Sequence, residues 1–167
     1  KRMKTLHYFI FLGFVVFMSS CGAGLEKEYE IKNIDFTMEG PLFEGPNSAS
    51  VIHTIDFGQM NTSMEKVKHA KLSKIVLYVP DTMNFDRFSD FKFQLTADAA
   101  SMIDAAQINP VPAGKSRLEL VVSEEADLTD FFRLGEFIFL VDGNLKEDVY
   151  DNLSFKADIQ FKVNINE

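Results

Sequence analysis

From Leu153 to Ile165 the chain alternates without a break. Leu153, Phe155, Ala157, Ile159, Phe161, Val163 and Ile165 are apolar, and the residues between them (Ser154, Lys156, Asp158, Gln160, Lys162 and Asn164) are polar. A helix, with 3.6 residues per turn, would scatter such a pattern around its surface. A strand puts every second side chain on one face, so the same residues form one continuous apolar row. The segment is therefore a long, half-buried strand. A strand of that kind needs sheet neighbours on its flanks and a second layer over its apolar face.

The rest of the chain supplies those neighbours. Tyr29–Met38 reads as the first strand. Tyr29 and Ile31 share one phase and Ile34, Phe36 and Met38 the other, which predicts a bulge near Lys32-Asn33. Gly40-Pro41 and Gly45-Pro46-Asn47 read as breakers, and Val51, His53, Ile55 and Phe57 as strand two. Leu72–Pro80 is apolar on both faces and reads as central; Asn84-Phe85-Asp86 makes the turn into Phe88–Ala97. A short edge strand competes with a helix over Met102–Ile108, and Leu118, Leu120 and Val122 define another strand. Glu136–Val141 is again central, with a turn at Asp142-Gly143-Asn144. A short helix or an irregular connection is expected in Asn61–Ala70, where Thr62 and Glu65 have capping-box spacing, and a short helix over Asp127–Leu134, with Asp127 as N-cap and Gly135 as stop. Seven or eight strands with one or two short helical turns predict an all-β, immunoglobulin-like β-sandwich.

The N-terminal stretch has a different grammar. Lys4, preceded by Lys1 and Arg2, gives a positive start, and Tyr8–Met18 is an unbroken apolar run. Met3 reads as the initiator. The run fits the apolar region of a secretory signal and falls short of the roughly 20 residues that span a bilayer. It ends at Met18-Ser19-Ser20-Cys21, and Cys21 is the only cysteine of the chain. These four residues resemble the lipobox of bacterial lipoproteins, with Met18 where Leu is commoner. The resemblance implies cleavage before Cys21, lipidation of Cys21 and attachment to a membrane. Lipid chains bind through about 0.8 kcal/mol per buried CH₂, and stable anchoring takes about two of them. Gly22 directly after the cysteine resembles outer-membrane sorting. The acidic Glu26 and Glu28 resemble the surface-export signal of some Gram-negative lipoproteins, although a solvated linker is the simpler account of such a charge run. The expected organisation is a signal peptide over 1–20, a tether over 21–28 and a β-sandwich domain over 29–167.

Removing residues 1–20 of 167 leaves 147, enough for one domain with a substantial core. The signal takes three of the 17 Lys and Arg and none of the 25 Asp and Glu, so the remainder carries 14 cations against 25 acids, a formal −11. Such a surface repels phosphate backbones, which argues against nucleic-acid binding. With no second cysteine for a disulfide and no Trp, the core must rest on packing, chiefly of the 17 Phe.

Signals for chemistry are sparse. His53 sits in the apolar phase of strand two, and His69 in the basic island Lys66, Lys68, Lys71 and Lys74. Two isolated histidines do not make a transition-metal site. No Gly-x-Ser-x-Gly or His-Glu-x-x-His motif occurs. Two acidic stretches have oxygen ligands that calcium accepts: Asp81, Asn84, Asp86 and Asp90, and Asp142, Asn144, Glu147, Asp148 and Asp151. Asp and Asn also form ordinary turns, and neither stretch has EF-hand spacing. Phe85, Phe88, Phe131 and Phe132 fall outside strands or at their ends, where they either line a pocket or close the core.

The pattern over about Leu72–Ile165 is similar to a group of Gram-negative β-sandwich lipoproteins, a likeness that implies fold and location and carries no activity. The expected function is thus a non-catalytic binding or assembly module, lipid-anchored at the outer membrane, with no catalytic, cofactor or metal residues assigned. Its partners would be the membrane, through lipidated Cys21, and an envelope protein. An envelope hydrolase with a loop-built site and a calcium-stabilised adhesion domain are the alternatives.

Overall fold

The computed structural model describes residues 24–166, so the signal segment and Cys21 lie outside the described residues. Nine strands and two short helices follow in order: β1 (Leu25–Met38), β2 (Gly45–Thr54), α1 (Phe57–Met60), β3 (Val67–Tyr78), β4 (Phe88–Ala97), β5 (Ala100–Ile108), β6 (Arg117–Glu119), β7 (Val121–Val122), α2 (Thr129–Leu134), β8 (Glu136–Leu145) and β9 (Leu153–Ile165). They form an all-β sandwich of two antiparallel sheets, ordered β1-β9-β3-β6 and β2-β8-β4-β5-β7.

The alternating C-terminal segment is β9, held between β1 and β3. Phe155, Ala157, Ile159, Phe161, Val163 and Ile165 are all buried, and the residues between them face out. The opposing row comes from β8, where Phe137, Phe139 and Val141 are buried. Phe139 stacks on Phe161 and Phe132 meets Phe161 edge-on, so phenylalanine bridges the two sheets. Each fully buried ring contributes about 1.5–3 kcal/mol, which is how the domain dispenses with disulfides.

The bulge in β1 falls where the phase change puts it, between Ile31 and Ile34. Asn33 takes a left-handed φ of 57° there, and its N–H donates to Asp158 Oδ1 at 3.0 Å. β4 spans the expected residues, and α2 stops at Gly135, whose φ is 78°.

Other boundaries differ from the sequence reading. β1 begins at Leu25, so Leu25–Glu28, expected as tether, is sheet: Leu25 pairs with Ile165 and Glu28 with Lys162. β9 continues that far and offers ladder partners whatever the charge of the opposite chain. β2 begins at Gly45, so Gly45-Pro46-Asn47 lies inside a strand, while Phe57 opens α1 behind an Asp56 cap. Of the turn expected in Asn61–Ala70 only a 3₁₀ turn at Met64–Lys66 exists, and β3 takes over at Val67, opposite Ile165. The Thr62 hydroxyl is buried without a partner, so the capping box is not made. The single strand expected over Leu118–Val122 is two: β6 pairs with β3, Leu120 N–H still donates to Ile75 O at 3.1 Å, and β7 pairs with β5 in the other sheet. That switch makes nine strands of eight.

The largest difference is Asp142-Gly143-Asn144. These residues are mid-sheet in β8, paired to both β2 and β4. Gly143 serves packing there, because a Cβ would stand 2.8 Å from the rings of Phe88 and Phe91.

Candidate functional site

The register of β1 on β9 fixes the two ends of the sandwich. Leu25 and Ile165 meet at one end, Met38 and Leu153 at the other. With 14 residues in β1 and about 3.3 Å per residue, the ends are about 45 Å apart. The segment leading to Cys21 enters at the first end. Four loops gather at the second: 39–44, 80–87, 110–116 and 146–152.

Hydrogen bonds tie these loops into one layer. Leu42 and Val149 exchange backbone bonds at 2.8 and 2.9 Å, and Gly40 N–H donates to Asn152 Oδ1 at 2.9 Å. Lys146 N–H donates to Arg87 O at 2.9 Å, and Phe85 N–H to Lys115 O at 3.0 Å. Asp86 Oδ1 accepts from Gly114 N–H at 2.6 Å, and Asp148 Oδ1 from Glu44 N–H at 2.8 Å. The Phe85 ring, buried beneath this layer, stands edge-on to Phe91 and Phe155.

Between the 80–87 loop and the start of β9 lies a cleft of about 400 Å³, with Met83, Phe88 and Phe155 as apolar walls and Arg87, Asp151 and Asn152 at its rim. Around Met83 it borders a second hollow of about 570 Å³ over Tyr78, Pro80 and the Asp35–Lys156 ion pair, which closes at 2.8 Å. Met83 is half exposed on the wall shared by both.

The acidic stretches singled out in the sequence do share this end, but their oxygens are mostly spent on holding it together. Asn84 Oδ1 accepts from Asp86 N–H at 3.0 Å. Asp90 accepts from Ser89 and from Asn144 Nδ2 at 2.8 and 2.6 Å. Asp142, in β8, accepts from Ser48 Oγ at 2.5 Å. Among the described residues no group of three or more His, Cys, Asp or Glu is arranged to hold a metal. Phe85 and Phe88 pack into the core while lending faces to the cleft; Phe131 and Phe132 are buried at the far end.

The histidines lie elsewhere. His53 Nε2 is 2.8 Å from the Tyr29 hydroxyl, which in turn accepts from Asp56 N–H at 3.1 Å. The Tyr29 hydroxyl thus links the His53 ring to the backbone at Asp56. Burial lowers the His53 pKa and raises that of Tyr29, so both stay neutral and the relay is kept. His69 is 3.4 Å from Asp127, and Lys74 pairs with Glu119 at 3.2 Å; Lys66, Lys68, Lys71 and Lys74 are all exposed, Lys66 on the 3₁₀ turn and the others on β3. The Asp127 carboxyl also accepts from Thr129 N–H at 3.0 Å and from the Thr129 hydroxyl. Burial raises the Asp127 pKa, but these bonds and the nearby His69 and Arg133 hold it below the ordinary range. Glu65 and Asp104 are likewise lowered, by hydrogen bonds from Ser63 and Gln94. None of these three carboxylates lines the cleft.

In the sequence, Phe85 and Phe88 pointed to a pocket at this end, whereas Met83 and Arg87, which carry no pattern there, were missed. No family model matches the chain, and no curated protein is detectably similar to it.

Proposed function

We propose that this chain is a lipid-anchored lipoprotein of the cell envelope whose sandwich is a non-catalytic binding or assembly module. Cys21 carries the lipid in this reading, and the outer membrane is its location. The observation that carries the binding role is the cleft at the end of the domain remote from the anchor-bearing terminus. Its floor is rigid, because Phe85 and Phe155 belong to the core, and its rim is built from loops, where recognition is usually placed. A tether of three residues between Cys21 and β1 would hold the domain at the membrane and present the cleft about 45 Å outward. Confinement beside a partner in the same envelope makes weak affinity sufficient.

Two variants test the reading. Cys21→Ser should move the protein out of the membrane fraction or block its processing; membrane retention with normal maturation refutes the anchor. A photo-crosslinking side chain at Met83 should give a discrete adduct in intact cells that Arg87→Glu removes, whereas turnover of a substrate by the purified protein refutes the non-catalytic role.

A further inference from the structure

β2 is the outer strand of the five-stranded sheet, and among the described residues its far edge meets no other strand. The phase of its hydrogen bonds follows from one contact. Ile55 N–H donates to Gly135 O at 2.8 Å, directly beyond the Thr54–Glu136 pair. Bonded and non-bonded pairs alternate along an antiparallel ladder. The odd residues from Ala49 to His53 therefore bond to β8, and the N–H and C=O groups of Ser48, Ser50, Ile52 and Thr54 point outward from the sheet edge.

Proteins normally guard such an edge with charge, bulges or short length. β1, the edge of the other sheet, has Glu26, Lys27, Glu28, Glu30 and Lys32 and the bulge at Asn33. β6 and β7, the remaining edges, are three and two residues long. β2 has ten residues, GPNSASVIHT, without one formal charge, and Pro46 blocks only its beginning. Ile52, two residues before its end, is 67% exposed.

Two further features describe what would fit. Val51 on β2 and Ile31 and Ile34 on β1 pack against the core yet stay partly exposed along the seam between the sheets. A strand added beyond β2 would lay alternate side chains over that seam, so those side chains would be apolar. The surroundings are acidic: Glu44 and Asp56 bracket β2, Glu136 and Asp142 lie on β8 beside it, and residues 44–56 and 136–145 include no Lys or Arg. A second copy would bring the same four carboxylates against themselves, whereas a cationic segment would be drawn in.

We propose that the free edge of β2 is a strand-addition site for an extended segment of another polypeptide, apolar at alternate positions and flanked by Lys or Arg. Backbone hydrogen bonds supply the attachment, the seam selects for alternation and the carboxylates select the flanks. This surface is separate from the loop-end cleft and does not depend on what the cleft binds.

The test uses the full chain in detergent micelles and a fluorescein-labelled nonapeptide of alternating threonine and valine with lysine at each end. Fluorescence anisotropy should report saturable binding. The same peptide with glutamate at each end should bind at least tenfold more weakly. Ser50→Pro removes an outward N–H that makes no bond within the sheet, so the fold should survive and affinity should fall at least tenfold. If the circular-dichroism melt shows that Ser50→Pro does not fold, Ile52→Lys is read in its place, with the same loss expected. Equal binding by a folded edge variant, equal binding of both peptides, or no saturable binding overturns the proposal. A wild-type dimer that Ser50→Pro dissolves also overturns it, by making the occupant a second copy.

Discussion

Replacing Gly143 by Ala tests whether that residue is in a packed strand, as the structure has it, or in a turn. The added Cβ would lie 2.8 Å from Cδ1 and Cε1 of Phe88 and from Cε1 of Phe91. Carbon atoms rest about 3.5–4.0 Å apart, so both ring edges must retreat by about 0.7 Å or more. They have little room. Phe88 and Phe91 are 4% and 1% exposed, with centroids 4.4 Å apart, and Phe91 is already edge-on to Phe85 and Phe155 at 5.4 and 5.9 Å. Overpacking of this kind costs about 1–3 kcal/mol. Against it, Ala restricts the unfolded chain and returns about 0.4–1 kcal/mol. The net loss should be about 1–2 kcal/mol, or about 3–8 °C in Tm for a domain of this size. Urea denaturation followed by far-UV circular dichroism should show a lower midpoint at unchanged slope. Phe88→Leu withdraws one ring edge, so Gly143→Ala should cost at least about 0.5 kcal/mol less in that background. A neutral or stabilising Gly143→Ala, or the same cost in both backgrounds, would refute the packing argument.

Ile159→Asp puts a carboxyl on the buried row of β9 and should cost about 4 kcal/mol or more, while Gln160→Asp, facing out, should stay within about 0.5 kcal/mol; equal urea midpoints for the two would contradict the strand phase. Thr129→Val leaves the buried Ala70 N–H without the hydroxyl it donates to at 3.1 Å and should cost about 1–3 kcal/mol, whereas Thr129→Ser should recover most of that loss in the same denaturation assay. Because the folded pKa of His53 is depressed, the unfolded chain binds the proton first; stability should hold above about pH 6.5 and decline as the pH falls below it. His53→Gln should flatten that decline between about pH 6.5 and pH 5, and an unchanged profile would refute buried His53 as its source.

The order of residues alone carried the strand character of most of the chain, the buried phase of β9 and the bulge in β1. Alternation and its interruption are local properties, and a strand has only two faces on which to express them. It also determined the start of β4 and the stop of α2 at Gly135, since both rest on short-range backbone preferences. Where a strand ends by acquiring or losing a neighbour was settled by the assembled fold. Leu25–Glu28 is sheet because β9 reaches Ile165, and the segment after Leu118 divides because each half finds hydrogen-bond partners in a different sheet. Gly143 carries turn chemistry in sequence and a packing role in space, since the rings that need its missing Cβ come from β4, more than fifty residues earlier. The cleft and the free edge of β2 were beyond the sequence for the same reason: each is defined by which strands and loops meet, or fail to meet, across long separations.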